Sequence, residues 1–264
     1  MKPWQIKLYE ASLMKKEKVR LISKLADFSN KRIFDLGCSN GTVSHFLKQN
    51  GGRWIHADLD RENLVTSREL LGETLFQVGE RSLPLKEKRF DIVVALDVLE
   101  HLTDDAKMVD EIRRILKPQG MVILSTPISG GFFLLNWLKG KLGLTPEIYG
   151  HKREGYSLEQ LQLMLEENGF NVIHASTYAK FLVELFEILL NVAYTRVNQI
   201  KDSRLRSGAI SPSSAVDLDK NSKLFSVYAR FIYPLVYLFT RIDKLLWFKT
   251  GYATLVLAQR MEIQ

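Results

Sequence analysis

Cysteine is nearly absent from these 264 residues: Cys38 stands alone, so no intrachain disulfide can form and no thiolate zinc or iron–sulfur site can be assembled. That usage fits a reducing, cytoplasmic compartment. Seven Pro and 16 Gly are too few for a fibrous or linker-dominated chain. Long apolar runs are also missing. The longest charge-free stretch, Met121–Leu138, is broken by Pro127 and Gly130-Gly131, and its first half reads as a buried strand rather than a membrane span. Met1–Glu10 mixes Lys2, Lys7 and Glu10 with isolated apolar residues, so it has no signal-peptide core and secretion is not expected. What is present is an ordinary globular balance, 46% hydrophobic and 25% charged, sufficient for one large domain with an addition. Lys and Arg outnumber Asp and Glu by 37 to 30, and the +7 charge suits an acidic partner: nucleic acid, anionic lipid or a phosphorylated substrate.

From Lys31 to Phe170 short apolar runs alternate with amphipathic stretches, the pattern of helices packed on both faces of a parallel sheet. Strands are expected at Arg32–Leu36, Trp54–Ala57, Leu75–Val78, Asp91–Leu96 and Met121–Ser125. Helices are expected at Thr42–Gln49, Glu62–Leu71 and Asp104–Leu116, the last with Thr103 as N-cap and Pro118 beyond its end. One helix, Trp4–Phe28, would cover a sheet edge with Ile6, Tyr9, Leu13, Val19, Ile22 and Leu25. Later come a helix over Ser157–Asn168 with Gly169 as its C-cap, a strand at Phe170–Ala175, and a last strand at Tyr252–Ala258.

The stretch Asp35-Leu36-Gly37-Cys38-Ser39-Asn40-Gly41-Thr42 ends the first strand in a glycine turn that opens a helix. Such a turn aims backbone N–H groups and a positive helix end at a ligand. A dinucleotide G-x-G-x-x-G fails here because Ser39 and Thr42 occupy its second and third glycines, and no G-x-x-x-x-G-K-[ST] occurs at this turn.

The D-x-G-x-x-x-G pattern resembles the class I S-adenosylmethionine-dependent methyltransferases, and the resemblance covers most of Lys31–Phe170. Ordered blocks carry it: Asp35–Gly41, Ala57–Asp60, Val78–Glu80, Phe90–Leu102 and Leu116–Gly120. Leu83-Pro84-Leu85, Val98–Leu102 and His151–Ser157 resemble the small-molecule enzymes of ubiquinone-biosynthesis type, while Ser39 departs from a common second glycine. The implied fold is α/β: a doubly wound, mostly parallel seven-stranded sheet, the Rossmann-like methyltransferase fold, with a helical insertion before the last strand. The implied cofactor is S-adenosyl-L-methionine. Asp35, Gly37, Cys38, Ser39 and Gly41 would lie along its methionine part, Asp58 with Leu59 at the ribose, Glu80 and Arg81 at the adenine, and Asp97 at the end of the fourth strand. An ionised carboxylate such as Asp58 has only acceptor sites and can take both ribose hydroxyls; a helix-capping or solvated role competes for Asp58, and a surface role for Glu80.

Methyl transfer from a sulfonium needs no metal, but an oxygen acceptor must lose a proton, so a neutral histidine would serve as general base. His151 and His101 are the catalytic candidates, against simpler roles as loop residues. Asp97, Glu100 and His101 also match a D/E-x-x-E-H spacing associated with a divalent metal in some relatives, although no metal is expected here. His45, His56 and His174 read as ordinary helix or strand residues, and Cys38 as a packing residue.

Residues 181–250 have a different character, holding 11 of the 27 aromatic residues with 10 Lys/Arg against 6 Asp/Glu. They read as an insertion into a core formed by 1–180 and 251–264. A polar loop is expected at Lys201–Lys223, between helices Phe181–Asn198 and Leu224–Trp247, the second kinked at Pro234. The first should expose Glu184, Glu187, Asn191, Thr195 and Asn198. The second should expose Ser226, Arg230, Tyr233, Tyr237, Arg241 and Lys244, and bury Leu224, Tyr228, Phe231, Leu235, Leu238, Ile242 and Leu245. Two roles suit the pair: a lid over the active site, or a surface held to anionic membrane, extended by Phe132–Leu135 and Trp137-Leu138. The reading is methyl transfer to a hydrophobic or lipid-linked small molecule by a cytoplasmic protein, peripheral to membrane in the second role. A nucleic-acid methyltransferase would show [ND]-P-P-[FYW] where Leu96-Asp97-Val98-Leu99 stands, and a non-catalytic binding protein is opposed by the intact loop and ribose acid.

Overall fold

The structure is a computed structural model and describes residues 2–129, 133–142, 150–198, 215–240 and 250–262. The N-terminal stretch forms two helices, α1 (Trp4–Glu10) and α2 (Leu13–Leu25), rather than one. The break falls at Ser12, whose hydroxyl accepts the Lys15 N–H and so starts a new helix. The Rossmann-like core then runs β1 (Arg32–Leu36), α3 (Thr42–Lys48), β2 (Arg53–Asp58), α4 (Arg61–Leu71), β3 (Leu75–Gln77), β4 (Phe90–Leu96), α5 (Asp105–Ile115) and β5 (Leu116–Pro127). It continues through α6 (Phe133–Lys141), α7 (Leu158–Glu167), β6 (Phe170–Tyr178) and α8 (Phe181–Asn198). After α9 (Ala215–Lys220), α10 (Ser222–Val227) and α11 (Tyr233–Thr240), the chain closes with β7 (Ala253–Arg260).

The seven strands lie in the order β3-β2-β1-β4-β5-β7-β6. β1 to β5 pair parallel, and β7 runs antiparallel between β5 and β6. One face buries Phe34, Leu36, Val93 and Leu124 against α5 and α7 through Met108, Ile112, Leu161 and Leu165. The other buries Ile33, Ile92, Val94 and Ile123 against α2, α8 and α11 through Ile22, Val183 and Val236. Odd and even positions of β1 thus feed opposite cores, which is why its apolar run is continuous rather than alternating.

Several boundaries differ from the sequence expectation for local reasons. Asp104, not Thr103, caps α5 by accepting the Lys107 N–H at 3.1 Å, while the Thr103 hydroxyl donates to Glu80. α5 ends at Ile115 and Leu116 already pairs with Phe90. Pro118 therefore lies inside β5, within a bulge that closes when Met121 pairs with Ile92. Asn168 caps α7, and Gly169 follows with φ 75°.

The insertion differs more. Residues 215–220 are helical where a polar loop was expected, with Leu218 buried, and the following helix starts at Ser222 rather than Leu224; 201–214 lie outside the described residues. Pro234 does not bend one long helix. Residues 228–232 form a π-turn in which the Tyr233 N–H reaches the Tyr228 carbonyl, and the wider turn makes room for the proline ring at the start of α11. Arg241, Ile242, Lys244, Leu245 and Trp247 lie outside the described residues, as does Phe132.

The faces of the insertion differ in part: Ser226, Arg230 and Tyr237 are exposed and Tyr228 faces inward as expected, but other positions are exchanged. Phe231, Leu235 and Leu238 are exposed, whereas Val236 is buried and the Tyr233 hydroxyl accepts a hydrogen bond from Lys16 Nζ at 2.8 Å. On α8, Glu184 is buried in an ion pair with Lys139 at 2.6 Å. Glu187 faces Lys15, and burial still raises its pKa to about 6. The Tyr228 hydroxyl donates to the Ala11 carbonyl at 3.0 Å. These contacts dock the insertion on α1 and α2, beside the sheet face, through its polar groups.

Phe34 is fully buried at the centre of β1, with ring centroids 5.4 Å from Phe90 and 6.0 Å from Phe76. Phe34→Ala should therefore cost about 3–5 kcal/mol in urea unfolding without changing the helix content of the native baseline. A loss under about 1 kcal/mol would show that the cavity collapses at no cost.

Candidate functional site

The carboxyl ends of β1, β2, β3, β4 and β5 share one edge of the sheet, and the turns that leave them carry the expected site residues. Gly37 adopts φ 78°, and a Cβ on it would lie 2.2 Å from Val98 Cγ2. Only glycine lets the β1 turn approach the start of the β4 turn so closely. Ser39 holds φ 51°, a left-handed conformation unusual for serine.

The backbone N–H groups of this turn are already used inside the protein, contrary to the expectation that they aim at a ligand. Those of Gly37 and Cys38 donate to the Ala57 carbonyl at 2.8 and 3.1 Å, and that of Gly41 to the Cys38 carbonyl. The Ser39 N–H donates to Asp58 Oδ2 at 2.7 Å. What the missing side chain at Gly37 allows is the close approach of the β1 and β4 turns.

Asp58 is buried at the end of β2. Its Oδ1 accepts from the Asp60 N–H at 2.9 Å and from Asn63 Nδ2 at 3.0 Å, in addition to the Ser39 bond on Oδ2. Three of about four acceptor sites are occupied, which leaves room for one further donor rather than two. Asp35 does not face the cleft: its Oδ2 meets His56 Nδ1 at 2.8 Å with both side chains buried, so it braces β1 against β2 from below. Leu59 packs on the core and its carbonyl accepts from Gln77 Nε2 at 2.9 Å. Cys38 is buried; burial first, then the Asp35 and Asp58 carboxylates, push its thiol well above the ordinary range, which suits packing and not nucleophilic attack.

A cleft of about 530 Å³ lies beyond β3, lined by Gln77, Val78, Gly79, Glu80, Arg81 and Pro84. Glu80 borders it while accepting the Thr103 hydroxyl at 3.2 Å, and Arg81 is exposed.

Asp97 follows β4 with φ 55° and pairs with Lys18 of α2, and its Oδ1 accepts from Ser125 Oγ at 3.3 Å. Ser125 Oγ in turn meets the Tyr178 hydroxyl at 2.9 Å. Burial lowers the pKa of Lys18, but the Asp97 carboxylate and Tyr178 outweigh it and hold the ammonium above its ordinary value. Lys18 and Tyr178 were not among the expected site residues. A signal existed for Lys18: Lys15, Lys18, Ile22 and Leu25 follow one another at spacings of 3, 4 and 3 along a single helical stripe, so two lysines occupy positions facing the core.

His101 and His151 do meet. Their rings are 4.7 Å apart, edge to face, and together with Glu100 they offer three ligand-type atoms within 4.8 Å of one another. His101 Nδ1 lies 3.1 Å from the Gly150 carbonyl, so Nδ1 carries a proton and donates it to that oxygen. The Lys152 N–H donates to the Glu100 carbonyl at 2.8 Å. The loop is clamped further by Arg153 and Tyr156, which both bond Asp105, and by Gly155, where a Cβ would meet the Pro127 oxygen at 2.1 Å. Burial, then His101, push the His151 pKa down to about 4 against a smaller opposing effect of Asp97. Burial and Asp97 raise that of Glu100, a fully buried carboxyl whose two oxygens have no hydrogen-bond partner among the described residues. The pair therefore rests as a neutral imidazole beside a carboxyl that favours its protonated form. Glu100 was named in the sequence only as part of a spacing; its burial became visible only with the fold.

Comparisons with known proteins bear on the fold and on residues 34–124. Residues 34–124, about a third of the chain, match the family model described as Methyltransferase domain. Over 115 residues, 41% of this chain and 50% of the relative, it is 30% identical to a ubiquinone biosynthesis O-methyltransferase of Pseudomonas aeruginosa. The chain spans about half the length of the curated relatives it matches. It is similar in fold to an S-adenosylmethionine-dependent methyltransferase from Mesorhizobium loti, with TM-score 0.51 and 16% identity over 92% of this chain and 96% of that one. It is also similar to phosphoethanolamine N-methyltransferase 2 of Haemonchus contortus in complex with S-adenosyl-L-methionine, with TM-score 0.55 and 17% identity over 94% of this chain and 53% of that one. Residues 34–124 thus match a methyltransferase domain, and the fold is that of S-adenosylmethionine-dependent methyltransferases.

The charge state of His151 is directly testable. Its ring protons should titrate near pH 4 in an NMR experiment, and His101→Gln, which removes the neighbouring ring while keeping a donor for the Gly150 carbonyl, should move that midpoint upward. An unchanged midpoint would show that burial alone sets it.

Proposed function

We propose that the protein transfers the methyl group of S-adenosylmethionine to a small hydrophobic or lipid-linked acceptor, with His151 taking the acceptor's proton when the attacking atom is a hydroxyl oxygen. The observation that carries the reading is the meeting of His101, His151 and buried Glu100 at the same sheet edge as the Gly37 turn.

The residues present fit the cofactor: the Gly37 turn, the remaining acceptor site of Asp58, and the cleft bordered by Glu80 and Arg81 succeed one another along the ends of β1, β2 and β3. When bound, S-adenosylmethionine supplies an already activated methyl group on a sulfonium. The protein's task is then orientation, plus a proton path. His151 is uncharged at neutral pH because it is buried beside His101, so its lone pair is available to a hydroxyl. The imidazolium so formed keeps the proton until it passes to solvent, and its charge beside Glu100 favours that carboxyl's ionised form. Asp97, held by Lys18 and Ser125, keeps a fixed negative charge beside this group. His151 and His101 are the catalytic residues in this reading; Asp58, Leu59, Glu80, Arg81, Gly37, Cys38, Ser39 and Gly41 surround the cofactor, and Asp35 acts on it only through β2.

The test uses S-adenosylmethionine tritiated on the methyl group, incubated with the protein and a cell extract. Label should pass into the solvent-extractable fraction, and His151→Gln should slow that transfer by about 10²- to 10⁴-fold while leaving cofactor affinity nearly unchanged. Label found in nucleic acid would favour the alternative acceptor class, and an undiminished rate in the variant would remove His151 from the chemistry.

A further inference from the structure

The helical run 222–240 turns its apolar side outward. Val227, Phe231, Leu235 and Leu238, spaced 4, 4 and 3 residues apart, are 50%, 62%, 59% and 65% exposed, and Ile232 and Tyr237 flank them. The stripe is about 16 Å long at the rise of a helix. It is continuous along one side, whereas the side facing the sheet carries Tyr228, Tyr233 and Val236. Isolated exposed leucines need no explanation, but a contiguous stripe on a helix that buries hydroxyls on its other side does.

We propose that this outward face rests in the interfacial layer of an anionic lipid bilayer. Charge supports this occupant. Lys223 and Arg230 are the only charged residues in 222–240, and the two carboxylates of neighbouring α8 are turned inward to Lys139 and Lys15. α6 packs on α8 through Leu135 and Ile188, and it adds an exposed Trp137 with Lys141 over its ring. Apolar side chains flanked by aromatics and cations, with no carboxylate between them, match the acyl and headgroup layers of an anionic leaflet. A second copy fits less well, because two-fold pairing of this stripe would set Lys223 and Arg230 near their own counterparts with no acid to neutralise them. No helix among the described residues is long and apolar enough to cross a membrane, so the contact is a surface one. The inference stands on the insertion alone and does not depend on the methyl-transfer reading.

The test is cosedimentation of the full chain with vesicles of phosphatidylcholine and with vesicles of phosphatidylcholine mixed with phosphatidylglycerol. The wild-type protein should sediment with the mixed vesicles, far less with phosphatidylcholine alone, and release as salt rises. Phe231→Glu with Leu235→Glu should weaken binding roughly tenfold or more, since it removes inserted apolar area and adds repelled charge. Both side chains are exposed, so the fold should survive, which circular dichroism and an unchanged affinity for S-adenosylhomocysteine would verify. Equal binding to both vesicle types, no binding to either, or full binding by the double variant would overturn the proposal. So would a dimer in sedimentation velocity without lipid that the double variant abolishes, because the stripe would then be occupied by a second copy.

Discussion

The ammonium of Lys18 on the carboxylate of Asp97 is the contact on which the rest of the site depends. It joins α2, which precedes the sheet, to the end of β4, where the backbone turns through φ 55°. Ser125 and Tyr178 extend it to β5 and β6, so four elements meet around one ion pair at the carboxyl edge. A buried lysine without this partner would be costly, and a carboxylate fixed in place by it sets the field at the neighbouring Glu100 and His151. The resting proton of Glu100 thus depends, after burial, on a carboxylate held by a lysine 82 positions upstream of it in the chain.

The same helix also receives the insertion. Lys15 faces Glu187, Lys16 donates to Tyr233, and the carbonyl of Ala11 accepts from Tyr228. Docking through polar groups explains how 181–240 can present hydrocarbon outward and still be held to the core. It also places that surface at the edge of the sheet from which β6 ends and β7 begins, the edge that carries the histidine pair.

Most of the core was legible from residue pattern. The apolar runs located every strand, because strands buried on both faces leave a signal that needs no partner to be read. Gly37 and Gly41 marked the turn, and the Asp58 and Glu80 blocks marked the neighbouring loops. The failures share one cause: each depended on a contact distant in sequence. Asp35 could not be assigned to His56, nor the turn's N–H groups to Ala57, without the β1–β2 register. The helical faces of the insertion were partly misread because amphipathicity gives two sides but not which one meets water. That choice fell to the lysines of α2 and α6, which claimed Glu184 and Glu187 and turned the apolar sides out.

In the proposed reaction the methyl of S-adenosylmethionine is held beside His151, at the edge formed by the Gly37 turn and the Glu100–His101 pair. That placement is tested most directly by NMR on the protein with S-adenosylmethionine labelled with carbon-13 at the methyl. A nuclear Overhauser contact between that methyl and the His151 ring protons, lost when unlabelled S-adenosylhomocysteine displaces the cofactor, is the predicted result. Saturable binding with the methyl in contact with other side chains and none with His151 would contradict it.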